Sequence, residues 1–324
     1  MDSDIIYLRL DDFSEITACP LCSMRDHVHV GNLKKRTYVN GRLVIVDIDD
    51  FSLRKCRSCG LVFRNYVTRP ETERKMQSLW FDESKKFHRW RSNRPSGNYR
   101  LRKIIDEFSR KIFPSERLRL LDVGVGEGDF IKIFEADYET YGLEKFPIDT
   151  VDYKSIVNSG MIFGDLEDSE GIAFTENFNI ITALDIFEHL KLPKIAMKSI
   201  HSMLVKGGLL LIETGNIDCF VARSPGLHRW WYTAILEHKV FWSPNTISKA
   251  LENERFRVIR IIRKAHKSGL VARQRLVVKF LFHKVSPKLY YNVLKSLNKN
   301  YQHEPELRIP WRDHFLVIAQ KVEQ

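Results

Sequence analysis

The chain has 324 residues, 44% of them hydrophobic and 29% charged. That is the balance of a globular protein, with length for two domains of about 100–200 residues each. No apolar run approaches the ~20 residues of a membrane span, and the opening MDSDIIYLRLDDF is acidic where a secretory leader is basic and then apolar, so a cytoplasmic location is expected. The net charge of +11 is local: from Arg255 to His303 there are thirteen Lys and Arg and no Asp or Glu. The remainder is close to neutral, so one segment, not the whole surface, is suited to phosphate or an anionic surface.

Residues 1–69 form the first expected unit. They carry two C-x-x-C knuckles, Cys19/Cys22 and Cys56/Cys59. In a reducing compartment such pairs point to a metal before disulfides, and four thiolates suit one tetrahedral, structural zinc. Lys55 and Arg57 offset the negative charge. Between the knuckles, RTYVNGRLVIVDI places an Asn40-Gly41 turn between β-branched residues, a hairpin signal that explains the long spacing. Residues 70–116 read as a helical linker or cap, with a break at RPSGN.

From residue 117 onward strands and helices alternate. RLRLLDVG is a buried strand, DFIKIFEA a helix, YETYGLE a strand, IDTVDYKSIVN a helix and MIFGDL a strand. FNIITAL is a strand running into a turn, PKIAMKSIHSML a helix with Pro193 in its first turn, and GGLLLIETGN a strand. SPNTISKALENE is a capped helix, and RFRVIRIIRK and HFLVIAQK are the closing strands. The alternation argues for an α/β fold, a parallel sheet with helices on both faces. Residues 263–308 lie between the last two strands and are expected to form a basic helical insertion.

The first strand of this unit ends in LDVGVGEGDF. Glycines 124, 126 and 128 let a backbone turn tightly and approach a ligand. Dinucleotide sites use G-x-G-x-x-G with a diphosphate on the helix end. Here the spacing is G-x-G-x-G and Asp129 follows, which would repel a diphosphate. Asp122 and Asp129 suit a ligand with a positive or amino group. Glu144, twenty residues past Gly124, can accept ribose hydroxyls. Asp165 can accept from an adenine amino group, and Asp185, Glu188 and His189 fall at the carboxyl edge where such sheets bind ligands.

These stretches, in this order, resemble the successive motifs of the class I S-adenosylmethionine-dependent methyltransferases over roughly residues 100–262 plus the last strand. The resemblance implies a Rossmann-like seven-stranded sheet with an antiparallel last strand. It implies that Gly124, Gly126 and Gly128 line the methionine part of S-adenosyl-L-methionine, with Asp122 supporting the loop. Glu144 would hold the ribose and Asp165 and Leu166 the adenine. Asp185 would close the cofactor side of the acceptor pocket. CPLC with CRSCGLVF resembles the N-terminal zinc ribbon of bacterial methyltransferases that modify glycans and sugars. AILEHKVFWSPNT resembles the segment that supplies a proton acceptor in such enzymes: His238 is the expected base and Glu237 its partner. Sugar C-methyltransferases read Y-x-E-H here. Ile235 stands at the tyrosine position, so O-methylation of a sugar in a glycan, nucleotide sugar or lipid-linked saccharide is expected ahead of C-methylation.

Alternatives stay open. An RNA methyltransferase could use the ribbon and basic segment as grips, and a scaffold could retain an idle cofactor fold. The basic residues 255–303 suit peripheral contact with a membrane face or with phosphate groups, or simply water. Trp230, Trp231, Tyr232 and Trp242 could stack on a sugar or form core. Oligomeric state is not legible.

Overall fold

The structure is a computed structural model that describes residues 5–39, 42–80, 95–114, 117–168, 177–223, 226–265, 286 and 312–322. The N-terminal part contains eight short strands: β1 Ile5–Arg9, β2 Phe13–Glu15, β3 His27–Asn32, β4 Arg36–Val39, β5 Arg42–Asp47, β6 Ser52–Cys56, β7 Val62–Arg64 and β8 Tyr66–Thr68. Helices α1, Pro70–Trp80, and α2, Pro95–Ile112, follow. The remainder runs β9 Leu118–Val123, β10 Tyr138–Glu144, β11 Gly160–Phe163, β12 Phe178–Leu184, α3 Pro193–Met203, β13 Leu204–Gly215, α4 Phe220–Arg223, β14 Val240–Phe241, α5 Pro244–Asn253, β15 Phe256–Lys264 and β16 His314–Lys321.

The seven-stranded sheet has the order β11-β10-β9-β12-β13-β16-β15. Strands β9 to β13 pair in parallel, and β16 is antiparallel to both neighbours. This is the expected architecture. Burial follows the two-residue period of strands: Leu118, Leu120, Ile180, Leu209, Leu211, Leu316 and Ile318 pack on one face with α2. Their neighbours Leu121, Val123, Ile181, Ala183, Leu210, Ile212, Phe315 and Val317 pack on the other, with α3 and α5. Pro193 opens α3, and the Ser243 hydroxyl caps α5 by accepting from the Thr246 N–H, the usual device for satisfying a helix start.

Two expected helices are shorter than the sequence suggests. Within DFIKIFEA only Ile131–Phe134 is helical, and within IDTVDYKSIVN only Tyr153–Ser155; both are 3-10 turns. The buried pairs explain this: Ile131 with Phe134, and Tyr153 with Ile156, are three residues apart, the repeat of a 3-10 turn. The hairpin is present, with Val39 opposite Arg42, and β1 adds to it in parallel. The expected basic insertion, 263–308, lies outside the described residues save for 263–265 and 286. No helix among the described residues is long and apolar enough to cross a membrane.

One pairing joins the two halves of the chain. Strand β14 adds to β7, so the sheet β14-β7-β6-β3 contains both a knuckle strand and the segment after His238. A shared core backs it: Phe51, Leu53, Val62 and Met76 pack with Trp230, Trp231, Tyr232 and Phe241. Trp242 is buried in the main core. The aromatic cluster is therefore core.

Candidate active site

The carboxyl ends of four adjacent strands build one edge. The loop after β9 carries Gly124, Gly126 and Gly128, all with positive φ. Their surroundings differ. A Cβ on Gly124 would strike Ile186 at 2.1 Å, and one on Gly128 would strike Ile156 at 2.2 Å. At Gly126 the nearest atom is the Gly124 carbonyl at 3.9 Å, so that side of the loop opens outward. Two glycines thus let the loop pack against its own protein, and the middle one faces open space. Its N–H donates to the Glu144 carboxylate at 2.9 Å, and the Phe146 N–H donates to the same group.

Asp122 is buried beneath the loop and accepts from the Thr182 hydroxyl at 2.6 Å. Burial raises its pKa to about 7. Leu166 is buried, and Asp165 pairs with Lys145 at 3.0 Å. Asp185 follows β12 with φ +56, a conformation uncommon outside glycine, and its buried Oδ1 has no hydrogen-bond partner. An open cradle at Gly126, a ribose-competent carboxylate at Glu144 and an orphaned acid at Asp185 fit S-adenosyl-L-methionine. The structure brings Asp122, Gly126 and Glu144 together, with Asp165 one strand further along the edge and Asp185 on the other side.

Beyond Asp185 the Phe187–His189 turn meets the segment 237–242. Four hydrogen bonds stitch them: Lys239 N–H to the Glu188 carbonyl, Lys239 Nζ to the His189 carbonyl, Trp242 Nε1 to the Phe187 carbonyl, and His189 Nδ1 to the Glu237 carbonyl. His238 Nδ1 donates to the Tyr232 carbonyl at 2.9 Å. A carbonyl only accepts, so in the neutral ring the lone pair lies on Nε2. Burial, then His189, hold the His238 pKa well below its ordinary value. The bond that orients this ring is thus to Tyr232, and the Glu237 charge acts instead on Arg64.

Glu188 sits at the carboxyl edge, as expected, while His314, Arg64 and Glu73 carry no local sequence signal. Glu188 is buried and accepts from Tyr232 Oη at 2.6 Å and Thr214 Oγ1 at 2.8 Å; burial and then Asp185 raise its pKa to about 8. His314, at the start of β16, stands against Tyr232. Burial pushes its pKa down, but Asp313, Asp185 and Glu213 raise it overall. Arg64, at the end of β7, is fully enclosed. Its guanidinium donates to the carbonyls of Thr233, Ile235 and His238, and burial lowers its pKa to about 9. Glu73 of α1 pairs with Lys239, Lys191 and Lys145. Burial alone would raise its pKa, but these three ammonium groups bring it down to about 2.

The four paired cysteines also converge. Cys19 and Cys59 Sγ lie 3.5 Å apart, as do Cys22 and Cys56, and all four ligand atoms fall within 4.8 Å of one another. The residue after each knuckle, Ser23 or Gly60, has a positive φ, and each knuckle closes with an N–H bonded back to its first cysteine. Sulfurs about 2.3 Å from a zinc would have this spacing.

Residues 87–261 match the family model described as "Methyltransferase domain". The chain belongs to this family. It is an S-adenosylmethionine-dependent methyltransferase, and the strand-edge geometry above is where the methyltransferase would hold its cofactor. No curated protein sequence matches it. Similar solved structures include a putative sarcosine dimethylglycine methyltransferase from Galdieria sulphuraria, 13% identical over 68% of this chain and 86% of that one, with a TM-score of 0.47. The N-methyltransferase NodS from Bradyrhizobium japonicum WM9 is 12% identical over 71% and 99%, with a TM-score of 0.42. The [4+2]-cyclase SpnF is 14% identical over 69% and 81%, with a TM-score of 0.44. Likenesses of this size say nothing of the acceptor.

Proposed function

We propose that this methyltransferase O-methylates a sugar hydroxyl of a glycan, nucleotide sugar or lipid-linked saccharide. S-adenosyl-L-methionine supplies a methyl group already activated by its sulfonium charge. What remains for the protein is to align the acceptor and receive a proton. The observation that carries the reading is the group Glu188, His189 and His238, gathered beside the cofactor edge. A hydroxyl acceptor needs such a group. His238, with its lone pair on Nε2, is the leading candidate to engage the acceptor proton, and Glu237 lies beside it. The resemblance of the knuckled N-terminal part to glycan-modifying methyltransferases supports a sugar acceptor. Cys19, Cys22, Cys56 and Cys59 hold a structural zinc in this reading.

The test is incubation with methyl-labelled cofactor and fractionated cell extract. Label in glycan or nucleotide-sugar fractions, released as a methylated monosaccharide on acid hydrolysis, supports the proposal. Label confined to RNA or to a small amine contradicts it.

A further inference from the structure

The residues at the end of β12 form a ligand set distinct from the four thiolates. One carboxylate oxygen of Glu188 and one ring nitrogen each of His189 and His238 lie within 4.8 Å of one another. An ion at ~2.0–2.2 Å from such atoms, at tetrahedral or octahedral angles, sets them about 3.0–3.6 Å apart, so ligation would draw the three together within the frame that holds them. Both imidazoles are oriented as metal ligands are, through a bond from the other ring nitrogen to a main-chain carbonyl. His189 Nδ1 is held by the carbonyl of Glu237, and His238 Nδ1 by that of Tyr232. Each ring therefore offers Nε2. Glu188 is likewise fixed, by Tyr232 Oη and Thr214 Oγ1. The bonds that stitch the Phe187–His189 turn to the segment 237–242 hold the three ligands in one frame. Asp185 adds a further acid, with a buried oxygen that has no partner. Buried acid is costly unless compensated, and an ion held here would compensate it alongside His314, whose pKa Asp185 helps to raise.

We propose that Glu188, His189 and His238 bind one divalent transition-metal cation, with Asp185 completing the negative charge around it. Two imidazoles and a carboxylate suit Mn(II), Fe(II), Co(II) or Zn(II), and leave positions open for a hydroxyl-bearing acceptor. An acceptor oxygen bound there would lose its proton more readily; with His238 Nε2 committed to the ion, the Asp185 carboxylate would receive that proton. The ligand set is independent of the acceptor; its use in methyl transfer rests on the hydroxyl reading above.

The test uses the full chain and Mn(II), a hard cation that a four-thiolate site disfavours. Free Mn(II) is followed by electron paramagnetic resonance during titration. The expected result is uptake of about one equivalent per chain. Affinity should fall at least tenfold in His189→Ala and in Glu188→Gln, and stay unchanged in a folded Cys56→Ser protein. Retained cofactor binding shows that each variant is folded. The proposal is overturned if the cofactor-binding wild type takes up neither Mn(II) nor Co(II) beyond the thiolate site. It is equally overturned if uptake survives both substitutions. Label arriving in a fraction other than sugar leaves the titration untouched, so the two readings fail separately.

Discussion

The cofactor edge and the segment 230–243, which the proposed function assigns to the acceptor, are built in opposite ways. The edge is local: Asp122, Gly126 and Glu144 come from two consecutive strands, and the Gly126 N–H to Glu144 bond spans eighteen residues. The acceptor segment 230–243 is held from far away. Arg64 grips its carbonyls from 169 to 174 residues earlier in the chain, and β7 pairs with β14. Glu73 reaches Lys239 from α1. The N-terminal unit is thus the mount on which the acceptor segment sits.

The comparison can be broken first at the edge. Gly126→Arg places a long side chain where the loop opens, and calorimetry should show complete loss of S-adenosyl-L-methionine binding, with stability lowered only by the about 1–2 kcal/mol that a φ of +54 costs a non-glycine residue. Gly128→Ala should do the reverse, since its methyl meets Ile156 at 2.2 Å and its φ is +79. A positive φ alone costs an alanine about 1–2 kcal/mol.

The mount is broken next. Purified protein should carry about one zinc per chain by elemental analysis, and Cys56→Ser should release it. Loss of the knuckle should lower unfolding free energy by roughly 3 kcal/mol or more, because structural zinc contributes folding energy directly. Cofactor affinity should change by only a few fold. A zinc-free wild type, prepared without chelator, sinks this account of the four cysteines.

Smaller effects sharpen the contrast. Glu144→Ala should weaken cofactor binding by about 1–3 kcal/mol, the usual range for bonds to a charged group, with little change at the acceptor segment. Glu73 gives a pH signature. Its folded pKa of about 2 lies below its ordinary value of 4.5. Its contribution is therefore present above pH ~4.5 and is lost as pH falls from there toward 2. Lys239 is itself disfavoured as a cation by burial, which offsets part of the gain, so the loss should be about 1–2 kcal/mol. Glu73→Gln should remove that part of the acid dependence in urea titrations.

Legibility follows the same division. Asp122, the glycines and Glu144 were readable because strand end, turn and function coincide in a short stretch. The parallel sheet and its antiparallel last strand followed from the alternation and the resemblance. DFIKIFEA misled because apolar residues three and four apart look alike in sequence, and only packing selects the 3-10 turn. Arg64, in VFRNYV, looks like any strand cation, and His314 like any residue opening a strand. Their roles depend on contacts across most of the chain, and no spacing encodes those. The four tryptophan and tyrosine residues near 230 read equally as sugar platform or core. Only the N-terminal unit packed against Trp230, Trp231 and Tyr232, and the main core around Trp242, decide for core.

The most direct measurement is hydrogen–deuterium exchange on Arg64→Ala. The substitution removes the Arg64 donor from three carbonyls while the four sheets of the described residues keep their strands. The account predicts faster exchange at residues 230–243 and 56–64, with residues 118–128 and 138–144 protected as in wild type and S-adenosyl-L-methionine binding kept within a few fold. Uniformly faster exchange across the chain, or no change at 230–243, would contradict the claim that the N-terminal unit mounts the acceptor segment.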